Sequence, residues 1–233
     1  MWLSAAVRRA VLDAGAPLSS GRVRYQGVDC SLFTPGPRAR SAARPLTLLF
    51  VGRLHPSKGP DVALEALANV RSRGRAAELV IVGEADDPAY DAALRQQAAQ
   101  LGVTAHVTWR GKLNREQLPD VYRSADVFLF VSRLAHEGQG LTYLEAMACG
   151  VPVVASPSGG AREFLTQYPI ARLTAACDGV SFGDEILKIA DDSVDTTRLA
   201  AAAMVTVREH ASLDAYIDVI EQELSSMSCV TKH

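Results

Sequence analysis

The chain has 233 residues, 48% of them hydrophobic and 21% charged, the balance of a soluble globular protein with core enough for one large or two small domains. A formal net charge of −2 argues against a nucleic-acid binder. Cys30, Cys149, Cys177 and Cys229 stand far apart without a CxxC pair, which favours a reduced, cytoplasmic setting over a disulfide framework.

The opening run MWLSAAVRRAVLDAG is amphipathic and predicts a helix that ends at Gly15 and Pro17. It has neither a long apolar centre nor a cleavage pattern, so it does not read as a signal peptide, and no apolar run reaches membrane-spanning length. Up to Arg44 there are seven arginines against two aspartates. Solvated surface is the ordinary reading of such scatter; a weak, membrane-peripheral contact is the alternative. A short strand at Val23–Tyr25 leads into QGVDCSLFTP, and Pro35 to Pro45 reads as a linker. From Leu46 a regular pattern begins. Strands are predicted at TLLFV, ELVIV, His106–Trp109, VFLFV and VPVVAS. Helices are predicted at Asp61–Ser72, Pro88–Leu101, Arg115–Ser124 and from Leu141 onward. After Arg162 the signal weakens, with two helices expected at Leu199–His210 and Leu213–Ser225. Short apolar strands alternating with amphipathic helices imply an α/β fold, a doubly wound parallel sheet of Rossmann-like type.

Ligands of such sheets sit beyond the carboxyl ends of the strands, and the unusual residues of this chain fall there. Gly52, Arg53, Lys58 and Gly59 follow the first strand, Gly83 and Glu84 the second, Gly111 and Lys112 the third. Two cations flanked by glycines suit a diphosphate, Arg as a planar fork and Lys as a point charge. Basic residues at helix starts are also common on any surface, and Lys58 alone would not decide it. Glu137 and Glu145, eight positions apart, bracket EGQGLTYLE. Gly138 and Gly140 would let a ligand approach the backbone before the helix that carries Glu145, a carboxylate able to accept bonds from a vicinal diol such as ribose. A solvated acidic loop before an ordinary core helix remains the plain alternative. Neither GxxxxGK[ST] nor GxGxxG is present, which weighs against a P-loop NTPase and an NAD enzyme. Asp86–Asp87 and Asp191–Asp192 read as a helix start and a turn, and no metal site is expected.

Together these residues resemble the nucleotide-sugar-binding half of retaining, group-1 glycosyltransferases of the GT-B fold. QGVDCSLFTP is similar to that family's interdomain junction, FVGRLHPSKG to its diphosphate loop, and EGQGLTYLEAMACGVPVVAS to its E-x7-E signature. SGGAREF resembles its GG-x-x-E turn. The resemblance implies that Arg53 and Lys58 hold the diphosphate, that Glu137 supports the donor sugar, and that Glu145 holds the ribose. It also implies contacts from Gly52, Gly83, Gly138, Gly140, Leu141 and Thr142, with Lys112 and Leu113 beside the base. No cofactor and no metal are implied, since two cations and a helix start would stand in for a divalent ion. Gln139 stands where the family often has Phe, which predicts a more polar sugar pocket.

The implied organisation is a remnant of an N-terminal acceptor domain with its linker at 1–45, a nucleotide-sugar-binding domain at 46–210, and a C-terminal helix at 211–233. The expected activity is transfer of a sugar from a UDP- or GDP-linked donor, with retention, to a saccharide, lipid or small-molecule acceptor. A missing N-terminal domain or a partner chain would complete it. A non-catalytic nucleotide-sugar-binding remnant and a sugar-nucleotide epimerase are the alternatives.

Overall fold

A computed structural model of the protein describes residues 5–14, 26–36, 44–134 and 139–230. The strand expected at Val23–Tyr25 lies outside them. Helix α1 (Ala5–Asp13) precedes a six-stranded parallel sheet, β1 (Leu46–Val51), β2 (Ala77–Val82), β3 (Val107–Trp109), β4 (Val127–Phe130), β5 (Val153–Ala155) and β6 (Arg172–Leu173). The strand order is β3-β2-β1-β4-β5-β6, with β1 and β2 in register from Leu46↔Ala77 to Val51↔Val82. Chain order reverses between β1 and β4, so the crevice of this sheet opens at their carboxyl ends.

Helices wrap both faces, which is why the central strands are apolar at consecutive positions instead of alternating. Side chains of period two then feed two separate cores. On one face Leu48, Phe50, Leu79, Ile81, Leu129 and Val154 pack beneath α2 (Pro60–Ser72), α3 (Pro88–Gln100) and α7 (Gly179–Asp191). On the other Leu49, Phe128, Phe130, Val153 and Ala155 meet α4 (Leu118–Ser124), α5 (Thr142–Ala148), α6 (Gly159–Gln167) and α8 (Ser193–His210). Helix α9 (Leu213–Val230) follows α8. Where the sequence suggested one helix over Arg115–Ser124, a 3-10 turn at Arg115–Gln117 precedes α4. Pro119, lacking an amide hydrogen, cannot carry a continuous α-helical ladder through that point.

Residues 26–36 pack into the same body. Val28 and Phe33 are buried, the Val28 amide donates to Ala211 O at 2.8 Å, and the Leu213 amide donates to Val28 O at 2.8 Å. Gly27 is required at this contact, because a Cβ there would lie 2.3 Å from Ser212 O. Arg44 closes the entry to β1 with a two-pronged bond to the buried Asp126 carboxylate, both arms 2.8 Å.

Candidate functional site

Three exit loops lie side by side at the carboxyl edge. Gly83, with φ of +142°, touches the loop after β1 so closely that a Cβ would sit 1.9 Å from Gly52 O. The Gly52 amide bonds Val82 O at 3.0 Å, the Leu54 amide bonds Glu84 O at 2.9 Å, and the Gly83 amide bonds Gly111 O at 2.9 Å. Any side chain at position 83 would force these loops apart.

The basic loop is shaped by a 3-10 turn, Pro56–Lys58, whose start is capped where the Ser57 amide donates to His55 Nδ1 at 3.2 Å. Gly59 (φ +63°) then lets it press on the end of β4, where a Cβ would meet Val131 Cγ1 at 2.3 Å. Arg133, just past β4, locks this arrangement. Its amide donates to Ser57 O at 2.9 Å, and its guanidinium reaches Pro56 O at 2.7 Å and grips both oxygens of Asp61. The Asp61 hydrogen bonds hold Arg133 still more firmly protonated than usual. The Tyr90 hydroxyl also donates to Asp61, at 3.2 Å.

A cavity of about 430 Å³ opens above the carboxyl ends of β1 and β4, at the reversal of strand order. Gly52 and Lys58 line it from one side, and Gln139, Gly140, Leu141 and Thr142 from the other, over a floor of Phe50, Leu129 and Phe130. Gly140 takes φ of +71°, and a Cβ there would sit 2.7 Å from the Phe130 ring. Five of the expected site residues (Gly52, Lys58, Gly140, Leu141 and Thr142) thus share one hollow. Gly83 lines a neighbouring hollow of about 380 Å³ with Glu84, Trp109 and Gly111, where Arg95 lies over the Trp109 ring at 4.8 Å.

The other expected residues are placed differently. Arg53 leans away to Asp86, in a 3.1 Å pair whose side chains are 63% and 64% exposed. Glu145 is buried in the first turns of α5 and faces α4, where Tyr122 Oη donates to its Oε2 at 2.8 Å. Burial raises the Glu145 carboxyl above its ordinary range, against the opposing pull of the Tyr122 bond and the Arg115 charge. Burial, then the Glu145 charge, pushes the Tyr122 phenol well above its usual value. Lys112 is exposed and Leu113 packs against the edge of the core. Glu137 and Gly138 lie outside the described residues. Arg133 and Tyr122 carry no mark in the sequence, since nothing in local spacing announces a loop clamp or a partner 23 residues from its carboxylate. Among the described residues, no cluster of three or more His, Cys, Asp or Glu is placed to hold a metal ion.

The family model for glycosyl transferases group 1 matches residues 38–204. A GDP-mannose-dependent alpha-(1-6)-phosphatidylinositol monomannoside mannosyltransferase of Mycolicibacterium smegmatis is 36% identical over 200 residues, 81% of this chain and 50% of that protein. A D-inositol 3-phosphate glycosyltransferase of Stackebrandtia nassauensis is 32% identical over 226 residues, covering 86% and 49%. The chain spans about half the length of these relatives. Anabaena HepE in complex with UDP and glucose superposes with a TM-score of 0.85 at 26% identity, over 97% of this chain and 62% of that one. The C-terminal domain of the group 1 family protein LpcC from Francisella tularensis shares the fold, with a TM-score of 0.70 at 23% identity over 80% of this chain and 100% of that one. With a family match across most of its length and relatives this similar beside it, the chain belongs to the group 1 glycosyl transferases.

Proposed function

We propose that the chain binds a nucleoside-diphosphate sugar, UDP- or GDP-linked, and transfers the sugar with retained configuration to an acceptor. The observation that carries this reading is the hollow at the strand-order reversal, with Lys58 on one wall and the glycine turn into α5 on the other. Relatives named for GDP-mannose and a structural neighbour solved with UDP and glucose support the donor class. Lys58 meets the diphosphate as a point charge and stabilises the negative charge that grows there as the sugar–phosphate bond breaks. Arg53 adds its fork by leaving Asp86, an exposed pair that contributes little and is easily exchanged. Amides at the Gly140–Thr142 turn receive phosphate oxygens, since the first amides of a helix have no partner within it.

Glu145 offers the ribose one carboxylate oxygen while Tyr122 holds the other. The base lies toward Gly83, Lys112 and Leu113, and Glu137 supports the face of the sugar where positive charge develops. The two cations do the work a divalent ion does elsewhere. Transfer to an acceptor also requires that its hydroxyl be held against the anomeric carbon with water excluded, so a second wall from an acceptor-binding domain or partner completes the reaction.

Calorimetry with UDP and GDP tests the donor reading. Wild type is expected to bind at least one of them, and Lys58→Ala to lose about tenfold to a hundredfold in affinity, the worth of a charge-assisted bond. Absence of binding to either nucleotide, or an unchanged affinity in Lys58→Ala, would refute it.

A further inference from the structure

Gln139 is the anomaly of the cavity. Its side chain is 1% exposed, yet neither Nε2 nor Oε1 has a hydrogen-bond partner among the described residues. Gln139 lines the 430 Å³ hollow with Gln26, Lys58, Gly140 and Thr142, over the apolar Phe50, Leu129 and Phe130. Buried amides left unmet at both ends are rare and demand an explanation. A side-chain amide presents two donors on nitrogen and two lone pairs on oxygen. An ionised diphosphate offers acceptors alone and would leave Oε1 unmet. A hydroxyl both donates and accepts, and a neighbouring pair of hydroxyls on a sugar ring satisfies both ends of the amide together.

We propose that Gln139 is a specificity-determining residue that reads hydroxyls of the donor's sugar ring, while Lys58 in the same hollow serves the diphosphate. This rests on the nucleotide-sugar reading above and adds which part of the donor the amide recognises. A site built around a buried hydrogen-bonding group discriminates strongly, because a ring with no hydroxyl at that point leaves the amide orphaned.

The test compares GDP with GDP-mannose and UDP with UDP-glucose by calorimetry, on wild type and on Gln139→Met, an unbranched apolar replacement of similar length. Gln139→Met is expected to bind the bare diphosphate within about twofold of wild type and to lose about tenfold in affinity for the matching sugar nucleotide. Retained diphosphate binding shows in the same experiment that the variant is folded. An unchanged affinity for the sugar nucleotide would overturn the proposal and leave the nucleotide reading standing, as would an equal loss for both ligands. Wild type binding none of the four ligands would sink the nucleotide reading and the proposal together. Should Gln139→Met fail to fold, Gln139→Asn withdraws the amide by one methylene. A selective loss of threefold or more for the sugar nucleotide then supports the proposal, and none overturns it.

Discussion

A carboxylate at 7% exposure with one strong donor is an uneasy group at neutral pH, and Glu145 is in that position. Its raised pKa means that the folded protein holds the proton more tightly than the unfolded chain does. Stability from that preference is therefore complete below the ordinary value of 4.5 and is lost as pH rises through the folded value. Glu145→Gln keeps an acceptor for the Tyr122 hydroxyl and removes the charge. Its melting temperature is expected to exceed that of wild type at neutral pH by on the order of 2 °C, with the gap closing toward about pH 4. Nucleotide affinity should fall in the same variant, the exchange of stability for function expected at a binding site. A variant less stable than wild type at neutral pH would show that the Tyr122 bond outweighs the burial of charge.

Among the elements, strands β1 to β5 and the helices up to α5 were plain in the sequence because both-sided burial writes itself as runs such as LTLLFV and VFLF. Beyond α5, helices α8 and α9 were read as well, α8 with a later start than it has, whereas α6, β6 and α7 were not, for reasons specific to their residues. Helix α6 starts on Gly159 and Gly160, and β6 has only two residues, too few to show a period. Helix α7 was hidden by Gly179 and Gly183, poor helix formers that are there because α2 runs against them. A Cβ at Gly179 would lie 2.3 Å from Glu65 Cβ, and one at Gly183 would lie 2.1 Å from Asn69 Oδ1. Gly179→Ala, at the first residue of α7 where helix propensity counts for little, is expected to destabilise the protein by about 1–3 kcal/mol through overpacking. Urea denaturation reads the difference directly, and a higher midpoint for the variant would mean that the helices separate freely. Of the candidate site, the convergence of Gly52, Lys58 and Gly140 on one hollow could be anticipated because strand ends are visible in sequence. The orientation of Arg53 toward Asp86 and of Glu145 toward Tyr122 depends on partners 33 and 23 residues away, which no local pattern displays.

For the whole molecule, topology and charge act together. The β3-β2-β1-β4-β5-β6 order opens one crevice between β1 and β4, and the Arg133–Asp61 clamp fastens the basic loop to the end of β4 along its rim. We propose that Lys58, joined by Arg53 once it leaves Asp86, makes a divalent ion unnecessary for diphosphate binding. Nucleotide affinity measured after chelation with EDTA is expected to stay within about twofold of the untreated protein, against the several kcal/mol a bound metal ion supplies. A loss of tenfold or more, restored by added magnesium or manganese, would reassign the role of Lys58. The most direct measurement is a crystal structure of the chain grown with GDP or UDP. The expected result has the terminal phosphate within hydrogen-bond distance of Lys58 Nζ and of amides in the Gly140–Thr142 turn. A nucleotide seated elsewhere, with Lys58 and that turn untouched, would contradict the assignment of this hollow.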